Sequence, residues 1–161
     1  MQKAWSFFIL LGHKEPNRLK KYVDLWYNKQ KGVVYMEIKY IELRTGYPNQ
    51  DGPAWIGKVK MSKSGKTIYF NDHAFQKYHG VCANYIDIET GEEYWISSVK
   101  KNGCDRHWAG KGKITIDCKV VDYYLSIVEF SKLDDTKYDV VDIADSFPIE
   151  RVKALLNETI N

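Results

Sequence analysis

Residues 55–117 consist of short segments rich in β-branched and aromatic side chains, and turns that carry glycine separate these segments. Such closely spaced segments favour an antiparallel sheet or a small barrel. We predict five strands here: Trp55–Met61, Thr67–Asn71, Ala83–Glu89, Tyr94–Val99 and Lys113–Asp117. Gly65 supplies the positive φ that the turn between the first two requires. Five short strands in this order predict a small SH3-like β-barrel.

Residues 1–43 have a different pattern, which predicts a β-α-β element. Trp5–Leu11 reads as a buried strand, and an amphipathic helix begins near Glu15 with apolar side chains at helical spacing. The alternating segment Val33–Leu43 predicts a second strand. Arg44–Pro53 is rich in Gly, Pro, Asn and Asp and is the predicted internal boundary. The segment Asp72–His79 is predicted to be irregular or helical.

The C-terminal part of the chain is predicted to be mainly helical. Asp117 can cap a helix whose apolar face carries Val120, Val121, Tyr124, Leu125 and Val128, although a strand at 118–130 stays open because Val and Tyr dominate it. Tyr138–Ile143 predicts a strand. Ser146–Glu150 begins a final helix that turns Val152, Leu155 and Leu156 inward.

These elements predict an α+β fold with an N-terminal β-α-β piece, a small SH3-like β-barrel and C-terminal helices. The predicted divisions are 1–43, 54–130 and 131–161, within one compact unit. A chain of 161 residues is long enough to bury a core without metals or disulfides.

Cysteine content and hydropathy bear on the compartment. The three cysteines are an odd number, which favours a reducing, cytoplasmic environment over a disulfide framework. Trp5–Leu11 is the most apolar run, and it is much too short to span a bilayer. We therefore expect no membrane association.

Charge is distributed unevenly along the chain. Residues 1–70 contain 13 Lys and Arg against 5 Asp and Glu, whereas residues 131–161 contain 4 against 7. This polarity is suited to an anionic partner. Ordinary solvated faces of both signs are the alternative interpretation.

The candidate binding residues lie in two groups of loops. The segment 100–108 combines basic and aromatic side chains in Arg106, His107 and Trp108. Further lysines lie on or beside two predicted hairpin loops: Lys58, Lys60, Lys63, Lys66, Lys111 and Lys113. With Trp108 and Tyr69 as stacking surfaces, these residues predict contacts to a single-stranded nucleic acid. The aromatic side chains equally predict a protein partner that docks on Trp95 and Trp108, and the sequence does not decide between the two partners.

The loop at 104–107 also suggests two chemical alternatives. His79 and Cys82, followed by Cys104 and His107, have spacing that resembles a tetrahedral zinc site. Cys104, Asp105 and His107 are the residue types of a nucleophile, an orienter and a base. Side chains so close in sequence rarely converge on one atom, so no residue is predicted to be catalytic. No cofactor is predicted, with zinc as the alternative.

Several motifs resemble a family of small uncharacterised bacterial proteins. They are the segments 55–59 (WIGKV), 62–71 (SKSGKTIYFN), 87–97 (DIETGEEYWIS) and 105–108 (DRHW). The resemblance covers roughly residues 40–125 and implies no established activity. We therefore predict a non-enzymatic binding module for a protein or nucleic-acid partner. A small enzyme or a zinc-binding protein that uses the Cys104–His107 loop is the alternative.

Overall fold

The computed structural model describes residues 36–46, 52–107 and 110–158. The chain divides into two compact units between Tyr35 and Met36, and every described element belongs to the second. The predicted strand and helix within residues 1–35 lie outside the described residues. The elements are β1 (Met36–Leu43), β2 (Ala54–Met61), β3 (Thr67–Phe70), β4 (His73–Lys77), β5 (Tyr85–Asp87), β6 (Glu93–Ser98), β7 (Ile114–Asp117), a 3-10 turn (Cys118–Val120), α1 (Val121–Val128), β8 (Tyr138–Val141) and α2 (Ile149–Glu158).

Six strands form a closed antiparallel barrel. Their order around the ring is β1-β6-β5-β4-β3-β2, and β2 pairs again with β1 to close it. β7 adds to β2 in parallel, and β8 adds to β7 in parallel. A small barrel accompanied by short helices was predicted from the sequence, and the structure confirms it at that level.

One edge of β2 is shared between two strands. Its C-terminal end pairs with β3 through Lys60 and Met61, while its N-terminal half pairs with β7 from Ala54 to Ile56. Gly57 lies between these two pairings. A Cβ atom at this position would lie 2.4 Å from Cε2 of Phe70, so the absence of a side chain lets the Phe70 ring pack against the backbone.

Apolar side chains pack in three clusters. The barrel interior contains Ile41, Val59, Ile68, Phe70, Phe75, Tyr94 and Ile96, and Ile143 joins it from the segment after β8. A second cluster lies between the outer face of β1, β2, β7 and β8 and the helix α1. A third contains Tyr69 and Ala74 with Val152 of α2. The alternation of side chains along each strand therefore buries both faces of much of the sheet.

Two differences from the predicted elements concern the barrel itself. The segment predicted to be irregular or helical at Asp72–His79 contains β4, because Asn71 and Asp72 form a two-residue turn with φ angles of 46° and 65°. Such turns have positive φ at both positions and connect antiparallel strands tightly. The strand predicted within the N-terminal element, β1, pairs with both β2 and β6. The barrel thus begins before the Arg44–Pro53 connector.

The C-terminal prediction holds in its main features. Residues 118–128 are helical, and Asp117 accepts a hydrogen bond from Lys119 N as the cap of the 3-10 turn. In α2 the side chain of Val152 is buried, as predicted, whereas Leu155 is 37% exposed, and the side chain of Leu156 lies outside the part of the chain whose side chains are described. Neither described helix has the length and apolar composition needed to cross a membrane.

Candidate functional site: the two ends of the barrel

Arg106, a predicted contact residue, has an internal role in the structure. Its side chain is 10% exposed, and Nη1 lies 3.4 Å from Oε1 of Glu42, which is itself 1% exposed. Nη1 and Nη2 also donate to the carbonyl oxygens of Gly52 (3.1 Å) and Lys113 (3.3 Å). A second guanidinium, from Arg44, lies 3.2 Å from the same carboxylate. Arg106 therefore joins its loop to β1 and offers little charge to a partner.

The loop is anchored a second time by Asp105. Its Oδ1 accepts from Lys100 N at 2.6 Å and its Oδ2 accepts from the Tyr124 hydroxyl of α1 at 2.8 Å. The Tyr124 and Tyr138 hydroxyls are 2.8 Å apart. Burial raises the pKa of the Asp105 carboxyl, although these hydrogen bonds act in the opposite direction. Both carboxylate oxygens thus serve to fix the loop against α1.

The residues predicted to bind zinc or to include a nucleophile and its base do not come together as one cluster in the structure. His79, Cys104 and His107 are exposed and Cys82 is half-buried. Among the described residues, the one set of three or more potential metal ligands with ligand atoms within 4.8 Å of one another is Asp117, Cys118 and Asp142. The structure therefore does not bring His79, Cys82, Cys104 and His107 together. Trp108 lies outside the described residues.

The predicted lysines separate into two places. Lys63 and Lys66 are exposed in the turn between β2 and β3. Lys113 lies just before β7, whose first residue pairs with Ala54 at the opposite end of β2, and its Nζ is 2.8 Å from Asp139. Lys111 is exposed in the same loop as Lys113. The predicted set is therefore not one continuous surface.

Strand pairing brings other lysines to Lys63 and Lys66. Lys77, at the end of β4, donates its backbone N–H to the carbonyl of Lys66. Lys60 is the penultimate residue of β2, and Lys58 lies two residues earlier on the same face. We call this surface the lysine end: Lys58, Lys60, Lys63, Lys66 and Lys77. The sequence did not associate Lys77 with the others, because its placement depends on the unpredicted strand β4.

None of the ammonium groups of the lysine end has a carboxylate within 4 Å among the residues that the structure describes. Lys60 Nζ lies 5.6 Å from the centroid of the Phe147 ring, a cation–π contact. Tyr69, predicted as a stacking surface, is 7% exposed and belongs to the third apolar cluster. Tyr78, which follows Lys77, is 37% exposed and is the better stacking candidate.

The opposite end of the barrel holds charges of both signs, and they are paired. Arg151 of α2 makes a bidentate contact to Glu89, with Nε to Oε1 at 2.6 Å and Nη2 to Oε2 at 2.7 Å, and also lies 3.3 Å from Asp72 Oδ2. Hydrogen bonds from Ser146 and Arg151 lower the pKa of Asp72. These contacts hold the segment before α2 and the helix itself against the β3–β4 turn.

At the same end, Asp87 and His73 form a second paired site. His73 Nδ1 is 2.6 Å from Oδ2 of the fully buried Asp87, whose Oδ1 accepts from the backbone N–H groups of Glu89 and Thr90. We call this surface the clamped end: Glu42, Asp72, Asp87 and Glu89 with Arg106, Arg151 and His73.

A recess lies beside His73 in the barrel mouth. It is lined by Ile41, Trp55, Phe70, Asn71, His73, Phe75 and Tyr94, and its volume is about 20 Å³. That space holds about one water molecule. The recess is therefore too small for a substrate. The hydrogen bonds that Asp87 accepts from Glu89 N and Thr90 N are those of a residue that caps a turn.

Comparison with known protein families, with curated proteins and with solved structures found no match. The resemblance to the small bacterial family stays a prediction.

Proposed function

We propose that the barrel is a non-enzymatic binding module that holds a single-stranded nucleic acid at the lysine end, as OB-folds, which are also small barrels, do with their loops. The observation that supports this function is the concentration of five lysines with no described carboxylate partner on and beside one hairpin. Each unpaired cation there repels its neighbours, which disfavours the folded state unless an anion is bound.

A phosphate backbone is the partner that fits such a surface best. Lysines that neutralise phosphates release condensed counterions, and this release drives sequence-independent binding. Tyr78 offers an exposed ring on which a base can stack beside Lys77. The exposed Lys63 and Lys66 retain their proposed role, whereas Arg106 and Lys113 leave the contact set, because Arg106 pairs with the buried Glu42 and Lys113 pairs with Asp139 at the surface.

The test is binding of a fluorescein-labelled oligodeoxythymidine of about 15 nucleotides, measured by anisotropy over a salt series. We expect K63E/K66E to weaken binding by about tenfold or more and to reduce the salt slope by about 1.4, since each single-strand phosphate contact contributes about 0.7. The matched control is K132E/K137E, which makes the same change of charge in the loop between α1 and β8. This control should bind as the wild type does.

Two outcomes contradict the proposal. One is an affinity that falls equally in both double variants, because the interaction then reflects net charge alone. The other is an absence of binding at low salt, where electrostatic attraction is strongest.

A protein partner is the second candidate, and Trp95 favours it. Its ring is 39% exposed, and the Arg44 guanidinium lies 5.6 Å from the ring centroid. Tryptophan and arginine are enriched among the residues that dominate protein interfaces. Binding at this surface should be lost in Trp95→Ala and change little with salt, which distinguishes it from binding at the lysine end.

We also propose a cytoplasmic location. The cysteines Cys82, Cys104 and Cys118 are all free, as they would be kept in a reducing compartment. Thiol counting on unfolded protein isolated under alkylating conditions should give three reactive groups.

A further inference from the structure

We infer that Asp117, Cys118 and Asp142 form a binding site for a divalent d-block cation of the zinc type. The three side chains each place one ligand atom within 4.8 Å of the others. The topology explains this arrangement. β7 and β8 are parallel neighbours, with Asp117 paired to Val141, so the residues that end β7 and follow β8 meet at one edge of the sheet.

The state of Asp117 is the independent indication of a ligand. The residue is 1% exposed, its Oδ1 caps the 3-10 turn by accepting from Lys119 N, and its Oδ2 is buried without a hydrogen-bond partner among the residues that the structure describes. A buried carboxylate oxygen with no donor is costly, because its hydration is lost and nothing replaces it. A cation bound between this carboxylate, Cys118 and Asp142 would supply the missing interaction.

The donor set selects the class of cation. One thiolate and two carboxylates suit a borderline ion such as Zn²⁺, which takes sulfur at about 2.3 Å and oxygen at about 2.0–2.2 Å. Ca²⁺ and Mg²⁺ prefer oxygen ligands alone. Binding requires the Cys118 Sγ–H bond to break, with the proton released to solvent as the sulfur–metal bond forms. A water molecule completes four-coordination.

Lys119 is the competitor for this site. Its Nζ lies 2.7 Å from Asp142 Oδ1, donates to the Ile143 carbonyl at 2.7 Å, and is 4.0 Å from Asp145. A bound cation would take over the Asp142 oxygen, while Lys119 keeps the Ile143 carbonyl and moves toward Asp145. The affinity for metal should therefore be limited by one neighbouring positive charge that a substitution can remove.

The experiment is titration of the full chain with Co²⁺ under reducing conditions, followed by the near-ultraviolet sulfur-to-cobalt charge-transfer band, and then displacement by Zn²⁺. We expect one equivalent of Co²⁺ to produce the band. Cys118→Ser should abolish it, and Asp142→Asn should weaken binding by about tenfold or more. Lys119→Met should strengthen binding by about tenfold, since a repelling unit charge is removed from the site.

The control is C82S/C104S, which leaves Cys118 as the sole thiol and should bind Co²⁺ as the wild type does. A band that disappears in C82S/C104S and persists in Cys118→Ser would overturn the proposal and locate the thiolate elsewhere. The absence of a band in both the wild type and Lys119→Met would also overturn it. Asp142 is largely exposed, with 76% of its side chain accessible, so its substitution tests the site without disturbing the core.

Discussion

The two ends of the barrel use charge in opposite ways. At the clamped end, Arg106 pairs with Glu42 from 64 residues away, and Arg151 pairs with Glu89 from 62 residues away. At the lysine end, the cations come from a hairpin and its neighbouring strand and have no described carboxylate partner. In this protein, the ion pairs of Arg106 and Arg151 join segments that are distant in sequence, and these charges therefore have a structural role. A charge without a partner is the better indication of a binding surface.

The largest expected effect tests the clamped end. Arg106→Met should destabilise the protein by about 3 kcal/mol, because it leaves the carbonyl oxygens of Gly52 and Lys113 without their donor and the buried Glu42 carboxylate with Arg44 as its remaining guanidinium partner. Urea unfolding followed by tryptophan fluorescence measures the change. The corresponding substitution at the lysine end, Lys63→Met, should alter stability by about 0.5 kcal/mol or less.

The double variant E42Q/R106M sharpens this result. Removing both charges should not recover the stability that Arg106→Met loses, because Arg44 also pairs with Glu42 and its guanidinium, whose Nε is buried, would then lack that carboxylate. If Arg106→Met instead keeps full stability and loses partner binding, Arg106 belongs to the contact surface as the sequence predicted. The distinction between the two ends would then fail.

A smaller effect on the free energy of unfolding is expected from Asp105, and its contribution should depend on pH. Burial raises the pKa of this carboxyl in the folded state, so its contribution to stability is greatest at low pH and is lost as pH rises from about 4 through the folded-state pKa. Asp105→Asn cannot titrate and keeps an oxygen for Lys100 N. The stability of the wild type relative to Asp105→Asn should therefore fall between pH 4 and neutrality.

Unfolding of both proteins across that pH range measures the difference. Asp105→Ala serves as the control, because it leaves Lys100 N and the Tyr124 hydroxyl without their acceptor and should cost about 1–3 kcal/mol relative to Asp105→Asn at every pH, since neither variant titrates there. A difference between wild type and Asp105→Asn that rises with pH would show that the hydrogen bonds, rather than burial, dominate this carboxyl.

Sequence patterns within single segments predicted many of the strands and the helix α1, but they predicted few of the contacts at the candidate site. Glycine turns between β-rich segments located β2, β3 and β6, alternation located β1, and helical spacing located α1, since each of these signals lies within one segment. The strand β4 was missed because its turn is Asn71-Asp72, which lacks the glycine that marks most such turns. The partner of Arg106 could not be found in this way, because Glu42 is brought to it only by the closed barrel.

The sequence predicted those site residues that are close together along the chain and missed those that strand pairing brings together. Lys63 and Lys66 share one turn, so the sequence placed them together, whereas Lys77 joined them only through the pairing of β3 with β4. Asp117 ends β7 and Asp142 follows β8, and these parallel strands are neighbours in space but distant in sequence. No short-range spacing connects them.

A smaller effect still is expected from the ion pairs of Arg151, which are exposed to solvent. The pKa of Asp72 is lowered by the Ser146 hydrogen bond and by Arg151, so the stability it contributes is present above its ordinary pKa of 3.8 and is lost as pH falls through the lowered value. Arg151→Gln should reduce this loss. Acid unfolding of the two proteins at low salt measures it, and identical acid midpoints would mean that Arg151 does not act on Asp72.

The smallest effect separates the two ends by the sign of their response to salt. Screening weakens attraction between paired charges and repulsion between like charges. Added NaCl should therefore stabilise the wild type relative to K63Q/K66Q, because only the wild type has that repulsion to relieve, and the difference at low salt should be about 0.5 kcal/mol or less. For Arg151→Gln the sign is reversed, since the wild type loses an attraction that the variant lacks. Thermal unfolding at several NaCl concentrations measures both comparisons. If added NaCl changed the relative stability of the wild type in the same direction in both comparisons, the lysines of the hairpin would be compensated within the fold. The proposal that the lysine end is a binding surface would then be wrong.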